Sequence, residues 1–274
     1  MTEFRPSRFE ILPIVIKNLL IINLLFFLAK NSIGSSDLFN MVDVLALHHV
    51  KSPLFQPWQI VTHIFMHADF FHLFWNMFML WMFGSVLENL WGPKRFLTFY
   101  FICGIGAGLL HLTFLWFDFN ELLNQYMRIK ENPSPGKISA FFNDYNLFRF
   151  SGSREVLSNY VSNPSNPLYL QSAVSYVNEY TYARLSVPTV GASGAVSGVM
   201  AAFLFLFPNT YLYLYFLFPI KVKWFGLFYF GRELVLAIMN QEGDNIARWA
   251  HIGGGLVGFL LVLTWNKKNR RKFY

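Results

Sequence analysis

Three stretches of this 274-residue chain run without a single Asp, Glu, Lys or Arg: Phe70 to Leu87 over 18 residues, Phe96 to Phe117 over 22, and Trp249 to Asn266 over 18. A helix rises about 1.5 Å per residue and the hydrocarbon core of a bilayer is about 30 Å thick, so each stretch can approach a full crossing. The amphipathic helices of a soluble globule break such runs with charge every turn or two. Composition agrees: 54% of the residues are hydrophobic, 14% are charged and 32 are Phe, which excludes a disordered chain, a collagen and a coiled coil. The single cysteine, Cys103, leaves no disulfide within the chain and no Cys-rich zinc site.

Three further spans carry more interruptions. Leu185 to Ile220 is uncharged over 36 residues, too long for one crossing, and Pro188, Pro208 and Pro219 divide it. It reads as a helix entered at Pro188, where a missing N–H does no harm, and stopped at Pro208. The alternating Tyr and Leu from Tyr211 then read as an interfacial loop. Leu12 to Ala29 contains Lys17, Asn18 and Asn23; Trp224 to Asn240 contains Arg232 and Glu233, costly in hydrocarbon unless they pair or face the bundle interior. The expectation is an all-α membrane protein with one membrane domain over 1–267 and a basic tail over 267–274. Its spans fall near 12–29, 70–87, 96–117, 188–207, 224–240 and 249–266.

Lys and Arg set the orientation. With both termini cytoplasmic, 12 of the 22 basic residues, from Arg5 and Arg8 to Lys267, Lys268, Arg270, Arg271 and Lys272, fall in short inner segments. The net charge of +7 thus reads as the topology signal of a multi-pass cell-membrane protein, and no aromatic-basic groove points to nucleic acid. One outer segment is out of scale. Residues 118–187 turn polar, with six basic and six acidic residues. They read as a long external loop between the third and fourth spans, with short amphipathic helices near Glu121 to Ile129 and Leu168 to Tyr182.

The second, fourth and sixth spans run in one direction, and each carries its unusual polar residues near its own start: His72 and Asn76, then Ser193, then His251. In lipid such groups need partners, and one shared pocket serves them all. Gly194 and Gly198 make a small-xxx-small face beside the serine, and Gly254 and Gly258 make another beside the histidine. Such faces let backbones approach closely, which draws Ser193 and His251 within reach of each other. A serine beside a histidine is a minimal activated nucleophile, the imidazole taking the hydroxyl proton and returning it to the leaving amine. Acyl transfer also needs donors for the developing oxyanion. The candidates are His72 and Asn76, at i and i+4 on one helix face, and the Ser193 amide.

The motifs His72-Leu-Phe-Trp-Asn76, Gly191-Ala-Ser193-Gly194 and Ala250-His251-Ile-Gly-Gly254, with Gly258 in register, resemble those of the rhomboid family of intramembrane serine proteases. The resemblance covers about Leu12 to Trp265 without the long loop. It implies a bundle of six transmembrane helices, a Ser193/His251 dyad without a carboxylate, and an oxyanion hole from His72, Asn76 and the Ser193 amide. It also implies no cofactor or metal, and transmembrane protein substrates cut near the outer membrane surface. Glu88, Gly92 and Arg95 look like the family's short cytoplasmic turn, and His63 and His67 fall in what resembles its first external loop. Many members carry an aromatic residue four after the serine, packed under the histidine; here Ser197 stands there, a candidate hydrogen-bond partner for the imidazole. Two other classes stand beside this one. A catalytically silent client-binding relative would lack Ser193 or His251, and a membrane metalloenzyme would use His63, His67, His72 and Asp69. His111, alone on the third span, reads as structural.

Overall fold

The structure, a computed structural model, describes residues 9–33, 35–36, 39–214, 218–239 and 247–268. The orientation reading from Arg5, Arg8 and the tail beyond Lys268 lies outside the described residues. In chain order the helices are α1 (Ile14–Ile33), α2 (Phe70–Trp91), α3 (Pro93–Asp118), α4 (Asn120–Glu131), α5 (Pro135–Asp144), α6 (Ser153–Ser162), α7 (Pro167–Leu185), α8 (Ser193–Leu206), α9 (Val222–Met239) and α10 (Arg248–Lys268), with short helical turns between α1 and α2. Where the Tyr-Leu alternation suggested a loop, Tyr211–Leu214 pairs antiparallel with Phe218–Lys221. The chain divides into two compact units: residues 1–47, 56–113 and 188–274 form one, and residues 48–55 and 114–187 form the other.

The first unit is the apolar bundle. Its α1, α2 and α3 are each long and apolar enough to cross a membrane, and α8 is an apolar helix of 14 residues. Leu80, Phe83, Phe96, Tyr100, Val199 and Met200 are part of its packed core. Large apolar side chains also point outward: Leu24 and Leu28 on α1, Phe71 and Trp75 on α2, Phe228 and Val235 on α9, Leu256 and Leu260 on α10. A fold in water would bury such a surface, whereas in a bilayer lipid covers it. The protein is an all-α membrane bundle.

Local chemistry fixes the helix limits. Asp69 caps α2, its carboxylate accepting the His72 N–H at 2.9 Å. The helix ends at Gly92, whose φ of +79° suits glycine, and Pro93 occupies the first turn of α3. The fourth apolar helix starts at Ser193 rather than at Pro188. Thr189 exchanges two backbone hydrogen bonds with Leu47, at 2.8 and 2.9 Å, and Gly191 has φ +124°, so the preceding residues form a non-helical strap.

Glu88, 3% exposed near the end of α2, accepts the Val15 and Ile16 N–H groups at 2.9 Å each. These first-turn amides of α1 have no partner within their own helix, and a carboxylate also complements the positive end of the helix dipole. Glu88→Ala leaves both donors unserved and is expected to cost about 2 to 4 kcal/mol. Glu88→Gln, which keeps one acceptor oxygen, should cost less. Thermal unfolding in detergent measures both.

Over 118–187, where a long loop with two short helices was expected, the second unit has four α-helices, the expected pair being α4 and α7. Its helices α4 to α7 enclose a core of their own that includes Leu122, Tyr126, Ile129, Phe141, Phe142 and Val177. The polar composition belongs to the solvated faces of these short helices. Ser134 and Asn166 cap α5 and α7, which open on Pro135 and Pro167. From the other segment of this unit, His48 Nδ1 lies 2.9 Å from the Ser186 carbonyl and Ser52 Oγ 2.9 Å from Ser186 Oγ.

Candidate active site

The strap before α8 is held at three points. Leu47 pairs with Thr189 through the backbone, His111 Nε2 lies 3.0 Å from Thr189 Oγ1, and the Gly191 N–H donates to the His63 carbonyl at 3.0 Å. The His63 Nδ1–H donates in turn to the Gln59 carbonyl at 2.8 Å, and burial pushes this imidazole down to about 4, neutral near pH 7. In this structure His63 and His111 hold backbone and strap.

Beyond the strap, α8 and α10 pack glycine against glycine. A Cβ on Gly254 would collide with the Gly194 carbonyl, and one on Gly258 would lie 2.5 Å from the Gly198 oxygen. A Cβ on Gly198 would lie 3.0 Å from the Gly254 oxygen and 2.5 Å from Cys103 Sγ of α3. Backbones this close bring the first residue of α8 to the first turn of α10: Ser193 Oγ is 2.9 Å from His251 Nε2. His72 sits in the first turn of α2, so all three residues lie at helix starts.

The other imidazole nitrogen has a partner that the sequence reading missed. His251 Nδ1 lies 3.0 Å from Glu233 Oε2 on α9. An ionised carboxylate only accepts, so Nδ1 carries the proton and Nε2 is left to accept from the serine hydroxyl. The Glu233 side chain is 4% exposed and also meets Arg232 at 3.1 Å and Arg248 at 3.3 Å. The resemblance implied a dyad without a carboxylate. The one signal for Glu233 was an acid inside a span, which calls for a partner without naming it. Ser197 does not serve the imidazole: its Oγ lies 3.1 Å from the Tyr229 hydroxyl, because its side chain faces α9.

On the opposite side of the serine, Gly191 leaves room. A Cβ there would lie 2.7 Å from His72 Nε2 and 3.4 Å from Ser193 Oγ, so any larger residue would fill the space between imidazole and hydroxyl. Asn76, one turn further along α2 and buried, donates from Nδ2 to the His72 carbonyl at 2.9 Å. The Ser193 amide, at the start of its helix, has no intrahelical acceptor. His67 packs edge-on to His72 with ring centroids 5.2 Å apart, and burial pushes it down to about 3. Among the described residues no group of three or more His, Cys, Asp or Glu is placed to hold a metal ion, so His63, His67, His72 and Asp69 do not gather as the metalloenzyme reading needs.

A serine hydroxyl against a histidine, inside a bundle of apolar helices, equips a membrane protein for acyl transfer. The family model described as a Rhomboid domain matches residues 54–118 and 146–268, and the chain belongs to the rhomboid family. The match passes over 119–145, which holds α4 and α5. The chain is 30% identical over 223 residues to an uncharacterized mitochondrial rhomboid protein of Schizosaccharomyces pombe, covering 77% of this chain and 52% of that one. It is 25% identical over 214 residues to the mitochondrial RHOMBOID-like protein 12 of Arabidopsis thaliana, covering 78% and 47%. Rhomboid protease GluP of Bacillus subtilis is 30% identical over 91 residues, 33% of this chain and 18% of that protein. The chain thus spans about half the length of the first two relatives.

Proposed function

We propose that this chain is an intramembrane serine endopeptidase that cuts transmembrane segments of other membrane proteins near the outer surface of the bilayer, through a Ser193/His251 dyad. The observation that carries this reading is the 2.9 Å approach of Ser193 Oγ to His251 Nε2. Ser193 Oγ attacks the scissile carbonyl carbon and passes its proton to His251 Nε2; the carbonyl electrons move to oxygen, where His72, Asn76 and the Ser193 amide donate. His251 then protonates the leaving amine as the C–N bond breaks, and a water repeats the sequence on the acyl-enzyme. No cofactor takes part. Family membership, with a relative named as a protease, supports the reaction class. We further read six spans in one membrane domain, with the chain segment 118–187 leaving the membrane on its outer face and both termini in the cytoplasm of a cell-membrane protein. Two relatives carry mitochondrial names, so fractionation of the tagged chain decides the membrane. The test of function is covalent labelling of the solubilised chain by a fluorophosphonate probe: wild type labels and Ser193→Ala does not. Equal labelling of the two would remove the nucleophile and the proposal with it.

A further inference from the structure

In addition to the dyad, we propose that Glu233 is a positioning residue for the same reaction, the third member of a Ser193–His251–Glu233 relay that fixes the tautomer and orientation of His251. Its kinetic consequence rests on the hydrolase reading above; the tautomer does not.

His251 is oriented by hydrogen bonds at both ring nitrogens, Nε2 to Ser193 Oγ at 2.9 Å and Nδ1 to Glu233 Oε2 at 3.0 Å. Among the described residues no aromatic ring stacks on it. Tyr229, one turn before Glu233 on α9, packs against Phe225 and Phe230 and meets Ser197. Neutral imidazole holds one proton on either nitrogen, and only the Nδ1–H form leaves Nε2 able to take the serine proton. A carboxylate at Nδ1 selects that form. When Ser193 Oγ bonds to the carbonyl carbon and its proton moves to Nε2, the ring becomes a cation, and Glu233 faces that charge while keeping its own. The pair is screened little, because the Glu233 side chain is 4% exposed and that of His251 is 14% exposed.

The two arginines fix which oxygen does what. Arg232 and Arg248 approach Oε1 at 3.1 and 3.3 Å, with Arg248 also 3.4 Å from Oε2, while His251 takes Oε2. In Glu233→Gln the amide oxygen is therefore expected on the arginine side, with the NH2 facing Nδ1. That donor would force the Nε2–H form, which cannot act as a base toward Ser193.

The experiment uses the full chain in detergent micelles, labelled with 15N-histidine, with the His251 signals assigned by difference from His251→Ala. Wild type should show the Nδ1–H tautomer, and Glu233→Gln should shift it toward Nε2–H. An Nε2–H wild type, or the same tautomer in both chains, overturns the proposal. On a model transmembrane substrate, Glu233→Gln should lower kcat by about 10² to 10⁴-fold with KM unchanged; wild-type kcat, or a loss confined to KM, overturns it. If the glutamine variant does not fold, the wild-type tautomer alone decides. If wild type shows no Ser193-dependent cleavage, the hydrolase reading falls, and the tautomer measurement still judges Glu233.

Discussion

Replacing either Ser193 or His251 by Ala is expected to reduce cleavage of a model transmembrane substrate by on the order of 10⁴-fold or more while leaving the bundle folded. The hydroxyl is the atom that bonds to the acyl carbon and the imidazole is the group that removes its proton, so neither retains much value without the other. The double variant should therefore be no slower than either single one. Folding should survive because the closest backbone contacts between α8 and α10 are made by glycines, the Phe205 and Phe259 rings also meet, and Glu233 keeps both arginines when His251 is lost. Rates per mole of folded protein, measured with purified variants in liposomes, decide the matter. Cleavage within tenfold of wild type would show, in Ser193→Ala, that some other group attacks the peptide and, in His251→Ala, that some other group takes the proton.

The second large effect should come from a single methyl group that takes no part in proton transfer. Gly254→Ala places a Cβ onto the Gly194 carbonyl oxygen, backbone that no rotamer change can move aside. The two helices must separate. Overpacking of this kind costs about 1 to 3 kcal/mol. Because Ser193 and His251 ride on opposite sides of the seam, a misplacement of about 1 Å should also cost about 10²-fold in rate. Gly231→Ala on α9 is the control, since a Cβ there meets nothing within 4 Å, and its stability and rate should match wild type. A Gly254→Ala protein as stable and as active as wild type would mean that the seam does not set the site.

Much of the bundle and its site is legible in the sequence. Uncharged length located α2, α3 and α10 to within a few residues, because hydrocarbon tolerates little else. The glycine spacings put Ser193 and His251 on faces able to meet. What escaped depended on partners distant in the chain. The proline rule placed a helix start at Pro188, but Leu47 claims Thr189 and Gly191 turns to φ +124°, so the helix begins five residues later. The helices of 118–187 are half visible: the amphipathic stretches near Glu121 to Ile129 and Leu168 to Tyr182 stand as α4 and α7, whereas α5 and α6, ten residues each, are hidden among the Asn, Ser and Pro clusters that read as loop. In the sequence Glu233 is an acid that hydrocarbon disfavours, and only tertiary packing pairs it with a histidine 18 residues away. From its spacing alone Ser197 reads as a partner for the imidazole, whereas its side chain turns to Tyr229.

The bond between Glu88 and the start of α1 also carries a schedule. The Val15 and Ile16 amides wait for an acceptor 73 and 72 residues later in the chain. At a synthesis rate of about 5 to 20 residues per second, that interval is roughly 4 to 15 seconds. Until then the opening turn of α1 has to borrow acceptors from water or lipid headgroups. Those two amides gain their protein acceptor only when the second helix has been delivered beside the first.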